Sequence, residues 1–442
     1  MRISVLVIIL SLLSITVVAQ RTLSIEEAIK LALKNNVAIR QQSNQQITNL
    51  ATRNSAMART LPTITGTAQS WKTLGNQFIE QEARVVNDAS TNNFFATANA
   101  NLVLFNGFNR INGIKQANEQ LEAQQFQIKR SEEEVISQVS SQYLQCLLDK
   151  EILNIEETNL RTQEQQRNQI QQHVELGSRA HVDLVNQDAQ VKMAQLRVLR
   201  ARQTLRNDKI TLSQLMFQDP FSEFEIEEPK WNISFEDLKS VDPLSLNEVA
   251  MQNRADLQQQ RKIESSWRSS VSINRSAAIP TLSFFASINS FYSNASTPVF
   301  NDQLDNNLRK QYGLTLNIPI FQGLQNRVSF VQAKVNYLNA QLDVENAELV
   351  VKSDVLRAYQ NLNDANLNYE AARIQLEAAD LAYALEKERY DIGIIDFVQF
   401  TQANQTLISA QTDFATARYT LLFQGILLDF ATGTLKAELL ID

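Results

Sequence analysis

Few residues of this chain have the chemistry that catalysis or metal binding needs. There are only two histidines, His173 and His181, and one cysteine, Cys146. Two imidazoles eight residues apart across a helix end could meet at a zinc ion, but no further ligand of the required type is evident. Cys146 is typical of a small core residue. No glycine-rich phosphate loop or nucleophile motif occurs, so the sequence predicts no enzyme, no metal and no cofactor.

The elements that position these residues occur twice along the chain. Similar segments recur in the same order at offsets that drift from 221 through 218 to 216 residues, which predicts a duplicated structural unit. The matching pairs include Leu61-Pro62 with Ile279-Pro280, Gly107 with Gly323, and Gly177 with Gly393.

Each repeat opens with a helix signal. Ser24 with Glu27, and Ser245 with Glu248, have the Ser-x-x-Glu spacing of a capping box. Prolines follow at Pro62 and Pro280, where a helix can no longer continue. The predicted helices cover about 24–59 and about 245–277.

A period of two residues follows each proline and predicts strands. Apolar side chains alternate with polar ones, which is typical of a sheet with one apolar and one polar face. The predicted strands cover about 62–74 and 93–106 in the first repeat, and about 280–293 and 311–322 in the second. The polar segments 76–92 and 294–309 are predicted to be exposed loops.

Long helices complete each repeat. Apolar residues recur every seven positions, as in Ile114, Leu121 and Val135 or in Val351 with its continuation Ala358 and Ala365, which predicts coiled-coil packing. The expected helices cover about 108–175 and 179–216, and about 324–391 and 395–431. At ~1.5 Å per residue the longer ones would extend roughly 100 Å. Gly177 and Gly393 are predicted to end them in a tight turn.

The organisation that follows is a signal peptide at 1–19, a first repeat at 20–216, a connector at 217–243 and a second repeat at 244–435. The first nineteen residues have the short apolar stretch and the small residue, Ala19, of a cleavable secretory signal. The formal net charge of −7 argues against a nucleic-acid partner. No later segment is apolar enough for a membrane helix, so a membrane location would require strands.

Four strands per chain cannot close into a barrel, and an open sheet edge is costly in lipid. Three chains would supply 12 strands, an even number within the range of outer-membrane barrels, although a dimer with eight strands is also permitted. We therefore expect oligomerisation, with a homotrimer as the preferred form.

Taken together, these segments resemble the TolC-like outer-membrane efflux proteins over essentially the whole mature chain. The resemblance rests on Leu33-x-Asn35-Asn36, Leu61-Pro62, Leu104-Phe105-x-Gly107, Asn253-Arg254, Ile279-Pro280, Ile320-Phe321-x-Gly323, Tyr390-x-x-Gly393 and Gly433-Thr434-Leu435. It implies a mixed all-α and β-barrel membrane protein, in which a trimer forms a 12-stranded outer-membrane β-barrel continuous with a periplasmic α-helical barrel. The implied function is an exit duct for small molecules, in contact with outer-membrane lipid, a periplasmic adaptor and an inner-membrane transporter.

The resemblance also directs attention to the periplasmic tip, around Gly177 and Gly393. The family has carboxylates six and nine residues after the second turn glycine, and here those positions are Gln399 and Gln402. The family also has a basic residue two places after that glycine, and here that position is Ile395.

Two tip residues carry over from the family, Tyr390 and Asp183. The resulting hypothesis is that a ring of Asp183 carboxylates is the main tip charge, which gives a gate that is less cation-selective than the family's and is locked differently. The alternative is that Asp183 merely caps the returning helix.

Other functions are compatible with parts of the pattern. A duct for type I protein secretion would have the same sequence features, because specificity resides mostly in the partners. A secreted coiled-coil scaffold or adhesin would explain the heptads but not the duplicated strands with their apolar faces.

Overall fold

The structure of the protein is a computed structural model that describes residues 21–79, 83–228, 242–296 and 298–435. The predicted signal peptide and residues 229–241 of the predicted connector lie outside the described residues. The described elements are, in chain order, β1 (Arg21–Leu23), α1 (Ile25–Asn35), α2 (Val37–Ala58), β2 (Thr63–Ile79), β3 (Arg84–Phe105), α3 (Asn109–Glu175), α4 (His181–Leu215), β4 (Phe224–Ile226), α5 (Pro243–Asn253), α6 (Ala255–Ser276), β5 (Thr281–Ser293), α7 (Phe300–Asn306), β6 (Arg309–Asn317), α8 (Gln325–Asp391) and α9 (Phe397–Thr432).

The chain divides into two compact units. One comprises Met1–Gln41, Ile128–Ala255 and Leu349–Asp442, and the other comprises Gln42–Gln127 and Asp256–Glu348. The second unit contains an antiparallel sheet in the order β2-β3-β5-β6. The first contains the returning helices α4 and α9 together with the turns that precede them.

The first hairpin is longer than predicted. Pairing between β2 and β3 runs from Thr63 opposite Asn101 to Ile79 opposite Arg84, past an irregularity between Gly75 and Gln77. Most of the segment 76–92, predicted to be an exposed loop, is therefore paired strand. Its polar composition misled the prediction, because a ribbon whose two faces are both in water has no apolar alternation to reveal it.

The second hairpin is shorter and differs from the prediction at its loop and its end. The strand β6 ends at Asn317 instead of about 322, because Pro319 has no amide hydrogen to donate to a sheet. The predicted loop 294–309 contains the short helix α7. Gln303, which is buried, holds this loop by donating to the carbonyl oxygens of Ser293 at 3.0 Å and Pro298 at 2.7 Å.

Each repeat-opening helix is interrupted by one residue, where the sequence predicts a continuous helix. Asn36 separates α1 from α2 and Arg254 separates α5 from α6, with ψ angles of 122° and 115°. These values are far from the helical ψ of about −42°. The Asn36 Oδ1 atom accepts from the backbone N–H of Ile39 at 3.1 Å, so this side chain caps the second segment.

Arg254 is buried at its break, with 2% of its surface exposed. Its guanidinium donates to Asp354 Oδ2 from Nη1 and Nη2, both at 3.2 Å, and from Nη1 to the carbonyl oxygen of Ala431 at 3.3 Å. Gly433 has a left-handed φ of +70° and lies against this break, so that a Cβ atom there would be 2.9 Å from the Arg254 nitrogen. The sequence motifs Asn253-Arg254 and Gly433-Thr434-Leu435 thus contact one another.

The two helix starts also differ from one another. Ser24 accepts from the backbone N–H of Glu27 at 3.2 Å, which confirms the predicted cap of the first repeat. In the second repeat the cap is Asp242 instead of Ser245, and Pro243 occupies the first turn. Proline favours that position because its missing N–H and its restricted φ suit the first helical turn.

The long helices α3 and α8 each contain 67 residues. The heptad prediction is confirmed along α8, where Val351, Ala358 and Ala365 are all buried. Ala372 and Ala379 continue the same spacing and are also buried, so the seam extends toward the end of the helix. Among the described residues, no helix has the length and the apolar composition needed to cross a membrane.

The core of the first unit includes a parallel pairing of β1 with β4 that the sequence did not reveal. Tyr143 is fully buried beneath it, and its hydroxyl lies 2.8 Å from the carbonyl oxygen of Leu23 and 2.6 Å from that of Glu227. Burial raises the pKa of this phenol well above its ordinary value. The pairing therefore holds part of the connector against the start of the first repeat.

Candidate functional site: the helical turns

The turns after α3 and α8 have the same geometry. Gly177 and Gly393 have left-handed φ angles of +74° and +78°. In each turn the residue after the glycine donates its N–H to the carbonyl oxygen five residues earlier, and the glycine donates to the one three residues earlier. This is the Schellman pattern, which ends a helix. The bonds are Ser178 to His173 (2.8 Å), Gly177 to Val174 (3.0 Å), Ile394 to Arg389 (2.8 Å) and Gly393 to Tyr390 (3.0 Å).

An apolar cluster lies beneath the second turn. Tyr390 is buried, and its ring stacks on Phe400 with the centroids 4.7 Å apart and an interplanar angle of 16°. Ile395 and Phe397 pack in the same cluster. The structure thus brings together two of the predicted tip residues, Tyr390 and Ile395. Ile395 is buried and makes apolar contacts in this cluster.

Arg179, in the first turn, reaches across to the second. Its Nη2 atom donates to the carbonyl oxygen of Tyr390 at 3.0 Å, and its guanidinium carbon lies 4.1 Å from the centroid of the Tyr390 ring. The contact combines a charged hydrogen bond with a cation–π interaction. Sequence reasoning missed it, although Arg179 and Ile395 occupy equivalent places two residues after their turn glycines. Comparing the repeats at this position would have shown that the basic residue stands in the first copy.

The charged groups around the Tyr390 ring have opposing effects on the pKa of its phenol. Burial raises the pKa of its phenol, Arg179 lowers it in part, and the nearby carboxylates of Asp183 and Asp391 raise it. The Tyr390 hydroxyl has no hydrogen-bond partner among the described residues. Asp183 therefore acts electrostatically on the same ring that Arg179 covers.

Asp183 lies in the first turn of α4 and is half-buried. The cap position of this helix is Ala180, and the backbone N–H of Asp183 donates to its carbonyl oxygen at 3.1 Å. The interpretation of Asp183 as the helix cap is therefore wrong. A carboxylate in the first turn is nevertheless favoured by the helix dipole.

Gln399 and Gln402 lie outside the apolar cluster, on the surface of the turn region. Both are exposed on α9 and line a shallow groove that Glu386 and Arg389 of α8 also line. Asp396 caps α9 by accepting from the Gln399 N–H at 2.8 Å. The charges in this groove come from Arg389 and Glu386, which form an ion pair at 2.8 Å.

The other chemically capable residues are tied into local structure. His173 Nδ1 lies 3.2 Å from the hydroxyl of Ser178. Within the described residues no group of three His, Cys, Asp or Glu side chains is placed to hold a metal ion. Cys146 is fully buried, and burial raises the pKa of its thiol to about 12, which confirms the interpretation as a core residue.

The paired helix–hairpin–helix repeats and their matched turns define a channel protomer with two equivalent halves. A sequence model of a known family, described as outer membrane efflux protein, matches residues 28–216 and 246–434. The chain belongs to this family, and it is an exit duct of the outer membrane with a periplasmic extension. The matched ranges contain both turns. A search of curated proteins finds no match to the sequence.

Solved structures of outer-membrane channels share the fold. The CmeC outer membrane channel of Campylobacter jejuni is 16% identical, with a TM-score of 0.77 over 93% of this chain and 85% of that one. VceC of Vibrio cholerae is 14% identical, with a TM-score of 0.79 over 92% and 96%. The open state of the MtrE channel of Neisseria gonorrhoeae is 17% identical, with a TM-score of 0.74 over 93% and 90%. The predicted fold of the chain, two repeats that each join β-barrel strands to a long helical hairpin, is confirmed.

Proposed function

We propose that three copies of this chain form the exit duct of a tripartite export system and pass small molecules outward from a periplasmic adaptor and an inner-membrane transporter. The family match and the channel fold support this proposal. In the four-stranded sheet, β2 and β6 each have only one strand neighbour, so pairing with other chains would satisfy both edges. The role is that of a conduit, without catalysis.

The duct opens, in this proposal, by separation of the helical turns. The observation that carries it is the contact of Arg179 with Tyr390, which joins the first turn to the second within one chain. Because the guanidinium binds both the backbone oxygen and the ring face, the two turns cannot move apart without breaking both interactions. Arg179 supplies the positive charge that the second turn lacks at Ile395.

We expect Arg179→Ala to increase opening. The lost cation–π interaction and hydrogen bond together stabilise the closed turns by about 1–2 kcal/mol per chain, a factor of roughly 5–30 in the open population. Single-channel recording of the purified trimer in planar bilayers would measure the open probability and conductance. Arg179→Lys keeps the charge without the planar stacking, so its opening should be intermediate.

Lys192→Ala removes an exposed positive charge farther along α4, where Lys192 bonds to Gln195, and serves as the matched control. It should open like the unaltered protein. Equal opening of Arg179→Ala and Lys192→Ala would rule out the Arg179 contact as the lock. A wild-type protein and an Arg179→Ala variant that both form trimers but never conduct would overturn the duct itself.

The selectivity of the tip is a separate proposal. Asp183 would form the main ring of negative charge, since Gln399 and Gln402 are neutral, so Asp183→Ala should lower the preference of the channel for cations. Reversal potentials in a potassium chloride gradient measure this preference. Asp188→Ala is the control, because Asp188 lies five residues later on the same helix and is paired with Arg167 at 2.9 Å. An unchanged reversal potential for Asp183→Ala would contradict the proposal.

A further inference from the structure

The strand register separates the sheet into two faces of different chemistry. The apolar face includes Ala98 opposite Ile288, Leu102 opposite Phe284, and Phe284 opposite Leu314. The other face carries Thr, Ser, Asn and Gln side chains. In an outer-membrane barrel the apolar face contacts lipid, so the polar face lines the lumen.

The paired part of this polar face is almost free of ionised side chains, and its charged member is Arg309, opposite Asn289. The residues that share it are Thr63, Thr65, Thr67, Gln69, Trp71 and Thr73 on β2, Asn93, Phe95, Thr97, Asn99, Asn101 and Val103 on β3, Ser283, Phe285, Ser287, Asn289, Phe291 and Ser293 on β5, and Arg309, Gln311, Gly313, Thr315 and Asn317 on β6. Within these stretches the wall offers mostly hydroxyl and amide groups, with Arg309 at one end of β6. Most of this wall therefore offers no electrostatic attraction to ions.

Three aromatic rings interrupt this polar wall near the hairpin end. Phe95 lies directly opposite Phe291 in the register, and Trp71 lies two positions from Gln69, the partner of Phe95 on β2. The rings of Trp71 and Phe291 have centroids 6.2 Å apart at 44°, although β3 lies between their strands. The two rings therefore lean toward one another over β3 on this face.

The rings are open to the lumen. Trp71 is 43% exposed and Phe291 is 38% exposed. Side chains that face a water-filled barrel are ordinarily polar, so exposed rings there depart from this rule. Keeping their apolar surface in contact with water costs free energy. Rings offset at this distance and tilt leave faces and edges available to a further planar group.

We propose that Trp71, Phe95 and Phe291 form an aromatic collar inside the barrel that transiently binds neutral solutes carrying a planar aromatic group. This inference rests on the proposed duct, because it requires the polar face to line a lumen. Three chains would repeat the collar around the axis. The hydroxyl and amide groups beside the rings can bind polar substituents of the same solute.

Intrinsic fluorescence can test the collar directly. The chain has three tryptophans, so Trp231→Phe with Trp267→Phe leaves Trp71 as the only reporter. The probe is 4-nitrophenyl β-D-glucoside, a water-soluble neutral aryl glycoside whose ring quenches tryptophan, and methyl β-D-glucoside is its matched non-aromatic partner. Added to the detergent-solubilised trimer, the aryl glycoside should quench Trp71 saturably with a dissociation constant on the order of 1 mM, and the methyl glycoside should compete at least about tenfold more weakly.

Phe291→Ala should weaken the saturable quenching about fivefold or more. Phe284→Ala is the control, because Phe284 is similarly exposed but lies on the apolar face, and it should leave the quenching unchanged. Quenching that rises linearly with concentration, or that is the same in Phe291→Ala and the unaltered protein, would overturn the collar. Either result would leave the duct intact if the same trimers conduct in bilayers, whereas trimers that neither conduct nor quench saturably would refute the duct.

Discussion

Replacing Gly433 with alanine is expected to lower the melting temperature of the protein much more than replacing Gly177 with alanine. Both glycines have left-handed φ angles, +70° and +74°, so both substitutions force a side chain into an unfavourable backbone conformation. That strain costs about 1–2 kcal/mol. At Gly177 nothing lies within 4 Å of the added Cβ, so strain is the whole effect.

At Gly433 the added Cβ atom would also collide with the chain. It would lie 2.9 Å from the Arg254 nitrogen, 2.9 Å from the Asn253 carbonyl carbon and 3.0 Å from the Arg254 Cα. These are backbone atoms at a helix break and cannot rotate away as a side chain would. The guanidinium of Arg254 is itself held by Asp354 and Ala431, so displacement would disturb those bonds. We expect a total loss of roughly 3–5 kcal/mol.

Thermal unfolding followed by circular dichroism, in the same detergent for both variants, measures the difference. The helical signal at 222 nm reports on α3, α4, α8 and α9, which dominate the chain. If Gly433→Ala and Gly177→Ala lost the same stability, the packing of Gly433 against the Arg254 break would have no energetic role.

The second large effect depends on pH and concerns Asp149. This side chain is 4% exposed in α3, where its carboxyl group faces that of Asp208 in α4. Asp149 Oδ1 accepts from Gln145 at 3.0 Å, and Oδ2 has no donor among the described residues. Burial and the neighbouring Asp208 raise the pKa of Asp149 from 3.8 to about 7, because a proton shared between the two carboxyls relieves their repulsion.

The sign of the effect follows from the direction of this shift. Between about pH 4 and pH 7 the folded protein binds a proton at Asp149 that the unfolded chain has released, so stability decreases as the pH rises through this range. Above about pH 7 both states are ionised and the loss is complete. Asp149→Asn removes the charge, so it should be more stable than the unaltered protein at pH 8, by about 2–4 kcal/mol, and nearly equal to it at pH 4.

Melting temperatures measured from pH 4 to pH 8 would show the difference between the two proteins growing up to about pH 7 and then becoming constant. Glu164→Gln, at an exposed site on the same helix, is the control and should show no such growth. A difference that is independent of pH would mean that Asp149 is ionised at every pH tested.

The parts of this fold that could be predicted from sequence are those with a local signal. The long helices follow from the heptads, and their ends follow from Gly177 and Gly393, where a left-handed residue is required. Ser24 could be identified as a cap because its partner is three residues away. Each of these features depends on residues that are close together in the chain.

What could not be predicted depends on residues far apart in the chain. Arg254 and Gly433 were both present in the motifs, but nothing in the sequence shows that they touch. The break at Asn36 is an exception, because it is local, and it was missed because no proline or glycine marks it. Arg179 was missed because its partner Tyr390 is 211 residues away. The candidate site is thus made of locally predictable turns joined by a contact that only the fold reveals.

The length of the first hairpin has a consequence for the surface of the cell. Strand β3 pairs with β5 only as far as Asn93, and beyond that point it continues with β2 alone as a two-stranded ribbon. Helices leave the sheet at the opposite end, after Phe105 and before Thr63. In a protein whose helices extend into the periplasm, the ribbon therefore lies at the outer end of the sheet, where antibodies and bacteriophages meet the cell.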